Sequence, residues 1–350
     1  MTPSPCFADA QRAADVVAGS LAVTPLQSHP LLDLALREQV GAPVLVKHEN
    51  VQPTGAFKVR GGVHLAATLS DAERSSGLVT CSTGNHAQSV AYGARLAGVS
   101  ATIVMPASAP ASKRDAVSAL GAEVMLAGDS LGEAAAAARA HAERSGSSFI
   151  CPTDPRIVLG HASAYVELFT QAAAMDLDLG AVFVPIGSGT GAAGACLVRD
   201  NLAPTCAVIG VQSAAAPAGW RSWRSGAIQT APAHTRAAGL ATTTGYPLPQ
   251  QMLAGHLDDF VLVSDDQIDA ALRLLASAAH TLAEGAGAAA LAGLMAGSAH
   301  APSAGGERAV AVMCTGGNAS AAKLLWANWH RDLGELAMLV QGAESLTGPT

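Results

Sequence analysis

The chain is poor in charge and in aromatic rings: 13% of its 350 residues are charged and 4% are Phe, Trp or Tyr. Basic residues are the scarcer sign, with 20 Lys and Arg against 27 Asp and Glu, a formal charge of −7. Nucleic acids and anionic membrane surfaces select basic faces, so neither is expected as a partner. The six cysteines (Cys6, Cys81, Cys151, Cys196, Cys206, Cys314) show no CxxC or other metal-ligand spacing. In a chain this long they read as reduced thiols rather than a disulfide framework. No stretch reaches about 18 uninterrupted apolar residues, the length a membrane-crossing helix needs. The opening residues, Met1 to Asp9, lack the basic-then-apolar order of a secretory signal, so a cytoplasmic protein is expected. A GxxxxGK[ST] loop is also missing, which excludes that class of NTPase.

Small and apolar residues are plentiful: half the chain is hydrophobic and 36 residues are glycine. That content and length suffice for a substantial core. Short apolar runs alternate with Ala-rich amphipathic segments. Residues 78–81, 101–105, 123–126 and 149–151 read as strands, with helices at 86–97, 112–120 and 131–144 between them. This βαβ rhythm predicts a parallel sheet. A second set, with strands at 181–186, 207–212, 260–263 and 308–313 and a helix at 191–201, predicts another. Ser264-Asp265-Asp266-Gln267 is a capping-box sequence that opens a helix running to about residue 282. Two α/β sheets with a ligand cleft between them are expected. Residues 214–249, rich in Pro, Gly, Thr and Trp, read as a lid or a surface excursion.

Four segments carry chemistry. In Pro53-Thr54-Gly55-Ala56-Phe57-Lys58-Val59-Arg60-Gly61-Gly62, a lysine follows a turn and an aromatic residue. Most lysines are solvated, but one desolvated in such a setting loses proton affinity and becomes a nucleophilic amine. Ser82-Thr83-Gly84-Asn85-His86 stands where a strand ends and a helix begins, so unpaired backbone N–H groups and two hydroxyls converge on a place suited to a carboxylate. Alone, it reads equally well as a plain helix cap. Gly187-Ser188-Gly189-Thr190-Gly191 lies between strand and helix, where successive N–H groups can wrap a phosphate. Ala192 breaks the GxGxxG pattern and no acid follows about 20 residues on, so a dinucleotide site is disfavoured. Thr315-Gly316-Gly317-Asn318 places a neutral hydroxyl at the end of an apolar strand.

Taken in order, these segments resemble the fold-type II pyridoxal-phosphate enzymes, and within them the threonine/serine dehydratase branch. The resemblance runs from about Thr24 to Asn318 and includes Ala283-Glu284-Gly285-Ala286, an acid followed by a small-residue helix. Gly210 to Pro217 and Leu240-Ala241-Thr242 look most like the subgroup of hydroxyectoine-utilisation dehydratases. The resemblance implies a fold like that of tryptophan synthase β, with an open, mostly parallel sheet and helices on both faces in each domain. The large cofactor domain would take residues 1–76 and 153–340, the small substrate-carboxylate domain 77–152, and a tail 341–350.

By residue, the resemblance makes Lys58 the lysine that carries pyridoxal phosphate as an imine and serves as the α-base. Phe57 would pack beside the ring, and Asn85 would bind its 3-oxygen. Gly187, Ser188, Gly189, Thr190 and Gly191 would cradle the phosphate, and Thr315 would meet the ring nitrogen. Ser82, Thr83, Gly84, Asn85 and His86 would hold the substrate carboxylate, with Thr83 also placed as a catalytic hydroxyl. The implied activity is α,β-elimination from a β-hydroxy amino acid such as threonine or serine. A racemase or a β-replacement enzyme of the same fold is the nearest alternative, and a non-catalytic binder of cofactor or amino acid is the alternative of a different class. A homodimer is implied. No metal is expected, because Gln212 and Ala238 stand where related enzymes often carry acids.

Overall fold

Residues 5–297 and 308–319 are described by the computed structural model. Helix α1 (Phe7–Ala18) precedes strand β1 (Leu26–Ser28), helix α2 (Pro30–Leu36) and strand β2 (Val44–His48). Proline opens α2 at its first position, where a missing N–H leaves nothing unpaired. Next come α3 (Val59–Ala67) and the short α4 (Asp71–Ser76), which Ser70 and Glu73 start with a reciprocal capping box.

A four-stranded parallel sheet follows: β3 (Leu78–Cys81), α5 (Asn85–Ala97), β4 (Ala101–Met105), α6 (Ala111–Ser118), β5 (Glu123–Leu126), α7 (Leu131–Ser145) and β6 (Ser148–Phe149). Its order is β5-β4-β3-β6, and the last strand stops at Phe149, short of the expected Cys151. One face packs on α7 through Ala134, Ala138 and Ala142; the other packs on α5 through Ala87, Val90 and Ala94.

The larger sheet completes the chain: α8 (Pro155–Ala174), β7 (Leu179–Pro185), α9 (Thr190–Leu202), β8 (Ala207–Ser213), α10 (Ala218–Ser225), α11 (Pro247–Leu253), β9 (Asp259–Val263), α12 (Asp265–Ala278), α13 (Gly285–Ala296) and β10 (Ala309–Cys314). The order is β1-β2-β10-β7-β8-β9, parallel except for β1, with Cys314 opposite His48 and Val312 opposite Phe183. All six β10 residues are buried, as a strand covered by helices on both faces requires. One face carries α2, α12 and α13; the other carries α8 and α9. The Ser264 capping box forms, but α12 ends at Ala278 rather than near residue 282, and His280 follows with φ 51. Residues 214–249 are less irregular than expected, since α10 and the start of α11 lie within them.

The chain therefore has the expected pair of mostly parallel sheets flanked by helices. Helix α3 packs on helix α1 on one side and on the smaller sheet's core on the other. Val59 and Val63 pack with Val17 and Leu21, whereas Leu65 joins the core of the smaller sheet. Its crossing with α5 is backbone on backbone. A Cβ on Gly62 would overlap the Ser89 carbonyl oxygen, and one on Gly93 would overlap the Gly62 carbonyl. Of the expected large domain, residues 1–4, 298–307 and 320–340 lie outside the described residues, as does the tail 341–350.

Candidate active site

Lys58 is the residue that precedes α3, so the packing of that helix places it. Its carbonyl accepts from the Gly61 and Gly62 amides and from the Ser89 hydroxyl. Burial draws its amine down to about 8, and the Glu284 carboxylate pulls the other way. The Lys58 Nζ stands 4.9 Å from the centre of the Phe57 ring. That ring in turn lies 4.6 Å, centre to centre, from the His161 imidazole.

The segment before Lys58 is tied to the segment after β10. Ala56 and Gly316 form an antiparallel bridge, the Phe57 N–H donates to the Thr315 carbonyl at 2.9 Å, and the Gly317 N–H donates to Gly55 at 2.9 Å. Thr315 is buried, and its hydroxyl donates to the Ala286 carbonyl at 3.3 Å. The first and fourth sequence segments thus meet, although more than 250 residues separate them in the chain, as the Asn318–Thr54 hydrogen bond (264 residues) illustrates.

Ser82, Thr83, Gly84 and Asn85 are half-buried at the start of α5. Gly84 is the N-cap, and no side chain caps the helix; the Ser82 Oγ accepts from the Gly84 N–H at 3.1 Å. The helix start is left for an external acceptor, as a carboxylate site requires. Asn85 reaches toward the other sheet: its Nδ2 donates to Glu284 at 2.6 Å, and its Oδ1 accepts from Asn318 at 2.8 Å. His86 points elsewhere. It is buried with its Nε2 3.1 Å from the Thr80 hydroxyl, and burial lowers its imidazole to about 3, so it stays uncharged.

The glycine segment links β7 to α9. Gly189 is the N-cap in a left-handed conformation (φ 88) that an L side chain rarely adopts, and again no side chain caps the helix. The Thr190 hydroxyl lies 3.0 Å from His161 Nδ1 and 3.3 Å from the Ser188 hydroxyl. The Tyr165 hydroxyl, buried without a hydrogen-bond partner, borders this loop, 3.4 Å from where a Gly191 Cβ would stand; His161 Nε2, likewise unpartnered, faces Gly61 of α3 instead. An uncapped helix start, a loop with glycine at alternate positions and nearby hydroxyls fit a phosphate group. A desolvated lysine beside an aromatic ring fits the aldehyde end of the same cofactor.

Sequence reasoning underweighted Glu284, His161, Tyr165 and Asn318. Glu284 had a signal, an acid immediately before a helix of glycine and alanine. His161 and Tyr165 sit within an ordinary amphipathic helix and had none. Gln212 is buried, and its Oε1 accepts from the Trp220 N–H at 2.9 Å.

Two α/β sheets, a half-buried lysine between them and two uncapped helix starts define the class: an enzyme that binds a phosphorylated carbonyl cofactor through a lysine. A sequence model of the pyridoxal-phosphate dependent enzyme family matches residues 17–316. The chain belongs to that family. It is 36% identical over 262 residues to the L-threonine ammonia-lyase of Thermotoga maritima, covering 74% of this chain and 64% of that one. It is 33% identical over 274 residues to the L-threo-3-hydroxyaspartate ammonia-lyase of Saccharomyces cerevisiae, covering 78% of this chain and 82% of the relative. A solved threonine deaminase from T.th. superposes with a TM-score of 0.83 at 35% identity, covering 90% of this chain and 99% of that one. The matched region spans 64% of the Thermotoga enzyme's length and 52% of that of a biosynthetic L-threonine dehydratase of Pasteurella multocida. Among the described residues no helix is long and apolar enough to cross a membrane.

Proposed function

We propose that the chain is an ammonia-lyase that removes the β-hydroxyl and then ammonia from a hydroxy-amino acid, such as L-threonine, L-serine or a related 3-hydroxy amino acid, leaving a 2-oxo acid. The observation that carries this reading is the convergence of a half-buried lysine with two uncapped helix starts, one of them suited to a phosphate and the other to a carboxylate. Lys58 would hold the aldehyde carbon of pyridoxal phosphate, with Phe57 beside the ring, Asn85 at the ring oxygen and Thr315 at the ring nitrogen. Gly187, Ser188, Gly189, Thr190 and Gly191 would hold its phosphate. Bound there, the cofactor supplies an electron sink for the substrate's α-carbon.

The chain's own groups do the rest. Ser82, Thr83 and the first N–H groups of α5 receive the substrate carboxylate and fix which α-bond faces Lys58. With its amine near 8, Lys58 is partly unprotonated at neutral pH and takes the α-proton. The same amine can return that proton to the departing β-oxygen. A neutral hydroxyl at Thr315 does not stabilise a protonated ring nitrogen as a carboxylate would, which suits elimination rather than transamination. Lys58→Ala, assayed with a panel of hydroxy-amino acids for 2-oxo acid and ammonia, should lose nearly all turnover. Normal turnover in that variant, freed of added amines, would sink the reading.

A homodimer and a cytoplasmic location complete the proposal. Leu31, Leu34, Val51 and Leu282 are each at least half exposed. Their segments are drawn together by the His29–His48 contact and the Asn50–Leu282 hydrogen bond. The proposed dimer would cover these side chains.

A further inference from the structure

The His161 imidazole is fully buried where three helices meet, and its surroundings decide which ring nitrogen carries the hydrogen. Its neighbour Gly160 lies against the backbone of α3, where an added Cβ would come within 2.6 Å of the Gly61 Cα. On the other side α9 lies against α8, and a Cβ on Gly194 would stand 2.9 Å from the Ala162 Cα. The ring therefore has little room to turn. Its Nδ1 is 3.0 Å from the Thr190 hydroxyl, which is in turn 3.3 Å from the Ser188 hydroxyl. Its Nε2 has no hydrogen-bond partner and faces Gly61, where a Cβ would come within 2.8 Å. The Lys58 carbonyl also acts on the ring, but it already accepts from the Gly61 and Gly62 amides and from the Ser89 hydroxyl.

We propose that His161 is a positioning residue for the cofactor phosphate: through Nδ1–H it occupies the Thr190 oxygen, so that an O–H of the Thr190–Ser188 pair is left to donate to the anion. The inference rests on the reading of residues 187–191 as the phosphate loop. Burial keeps the imidazole neutral, so one nitrogen donates and the other accepts. A hydrogen on Nε2 would be a buried donor without an acceptor, pressed against a C–H group. A lone pair tolerates that contact better, which leaves the hydrogen on Nδ1. With the opposite tautomer, Thr190 would donate inward to the ring, and its hydrogen would be lost to an anion that needs donors. The face of the same ring meets Phe57, 4.6 Å centre to centre, so any effect of His161 on the cofactor ring must be separated from its effect on the phosphate.

The tautomer can be read in the full-length protein with isotope-labelled histidine rings, before cofactor is added. The chain has 11 histidines, and the His161 signals are those lost in His161→Leu, or in His161→Gln should the first variant fail to fold by circular dichroism. Long-range proton–nitrogen correlations should place the ring hydrogen on Nδ1; a hydrogen on Nε2 overturns the proposal. Equilibrium dialysis then compares pyridoxal phosphate with pyridoxal, which lacks the phosphate. His161→Leu should weaken pyridoxal phosphate by about three- to tenfold and leave pyridoxal unaffected. That loss should vanish when Thr190→Val has already removed the hydroxyl. An equal loss for both ligands, or an undiminished loss beside Thr190→Val, overturns the proposal as well. Failure of the underlying reading looks different: Thr190→Val and Gly189→Asp would both leave pyridoxal phosphate affinity unchanged, and the role of His161 would fall with the phosphate site.

Discussion

The Phe57 N–H donates to the Thr315 carbonyl at 2.9 Å, so the lysine segment and the end of β10 are two strands of one short bridge. The side chains of both residues are set by that backbone pairing rather than by loops of their own. Thr315→Ser keeps the hydroxyl and should be mild in rate and absorption spectrum. Thr315→Val is nearly isosteric and should cost about 1–3 kcal/mol of cofactor or transition-state binding by leaving a polar partner unpaired. Steady-state kinetics and cofactor titration of the two variants check this. Equal behaviour would mean that the hydroxyl does not face the ring.

Gly189→Asp should weaken cofactor binding far more than it alters the chemistry of enzyme that is loaded. The left-handed backbone at this position (φ 88) resists a side chain, and a new Cβ would come within 2.9 Å of Pro249. The carboxylate would also repel a phosphate. A loss of roughly 2–3 kcal/mol, or about 30- to 150-fold in dissociation constant, is expected. Equilibrium dialysis of pyridoxal phosphate measures it, and unchanged affinity would place the phosphate elsewhere.

Lys58 should cost the cofactor-free protein stability. Its amine titrates near 8 when folded, against an ordinary value of 10.5. Between those two values the unfolded chain binds more protons, so stability rises with pH there; below about 8 the native state bears the full penalty. Lys58→Met, which removes the charge, should therefore raise the melting temperature at pH 7, through a gain on the order of 2 kcal/mol. The advantage should shrink as pH climbs toward 10. A gap that stays constant with pH would show that the gain comes from packing alone.

Gly62→Ala should destabilise the fold by about 1–3 kcal/mol, because its methyl would meet a backbone carbonyl that cannot swing aside. Thermal melts of this variant, compared with Gly98→Ala, where a Cβ meets nothing within 4 Å, separate overpacking from the strain of a left-handed glycine. Leu34→Arg, at one of the exposed apolar side chains offered for the proposed dimer, should yield a monomer in light scattering where the unaltered chain gives a dimer; an unchanged mass would remove that side chain from the interface.

Much of the fold was legible because its signals are local. Residues 78–81, 101–105 and 123–126 are apolar runs of strand length, and each forms the strand expected. Ser264 and Gln267 make the predicted capping box from positions three residues apart. Where the outcome depended on distant partners, the reading fell short. Leu282 looked helical, but the chain turns left-handed at His280, and the Asn50 amide holds the Leu282 carbonyl. Asn85 is expected at the cofactor's 3-oxygen and at the substrate carboxylate, yet its two side-chain partners stand 199 and 233 residues further along the chain. His86 was grouped with its neighbours by adjacency. One residue of helical rotation turns it into the core beside Thr80.

The glycine crossing of α3 and α5 acts as a fixed gauge. Lys58 leads one helix, the Ser82–Gly84 loop proposed for the substrate carboxylate leads the other, and where the helices cross nothing separates them but backbone. Under the proposed function that fixed crossing would serve what all α-amino acids share, the short reach from α-carbon to carboxylate. A gauge of that kind cannot tell one amino acid from another. Discrimination among side chains falls instead to the parts of the wall built from side chains, where a single substitution can change the shape without disturbing the anchor.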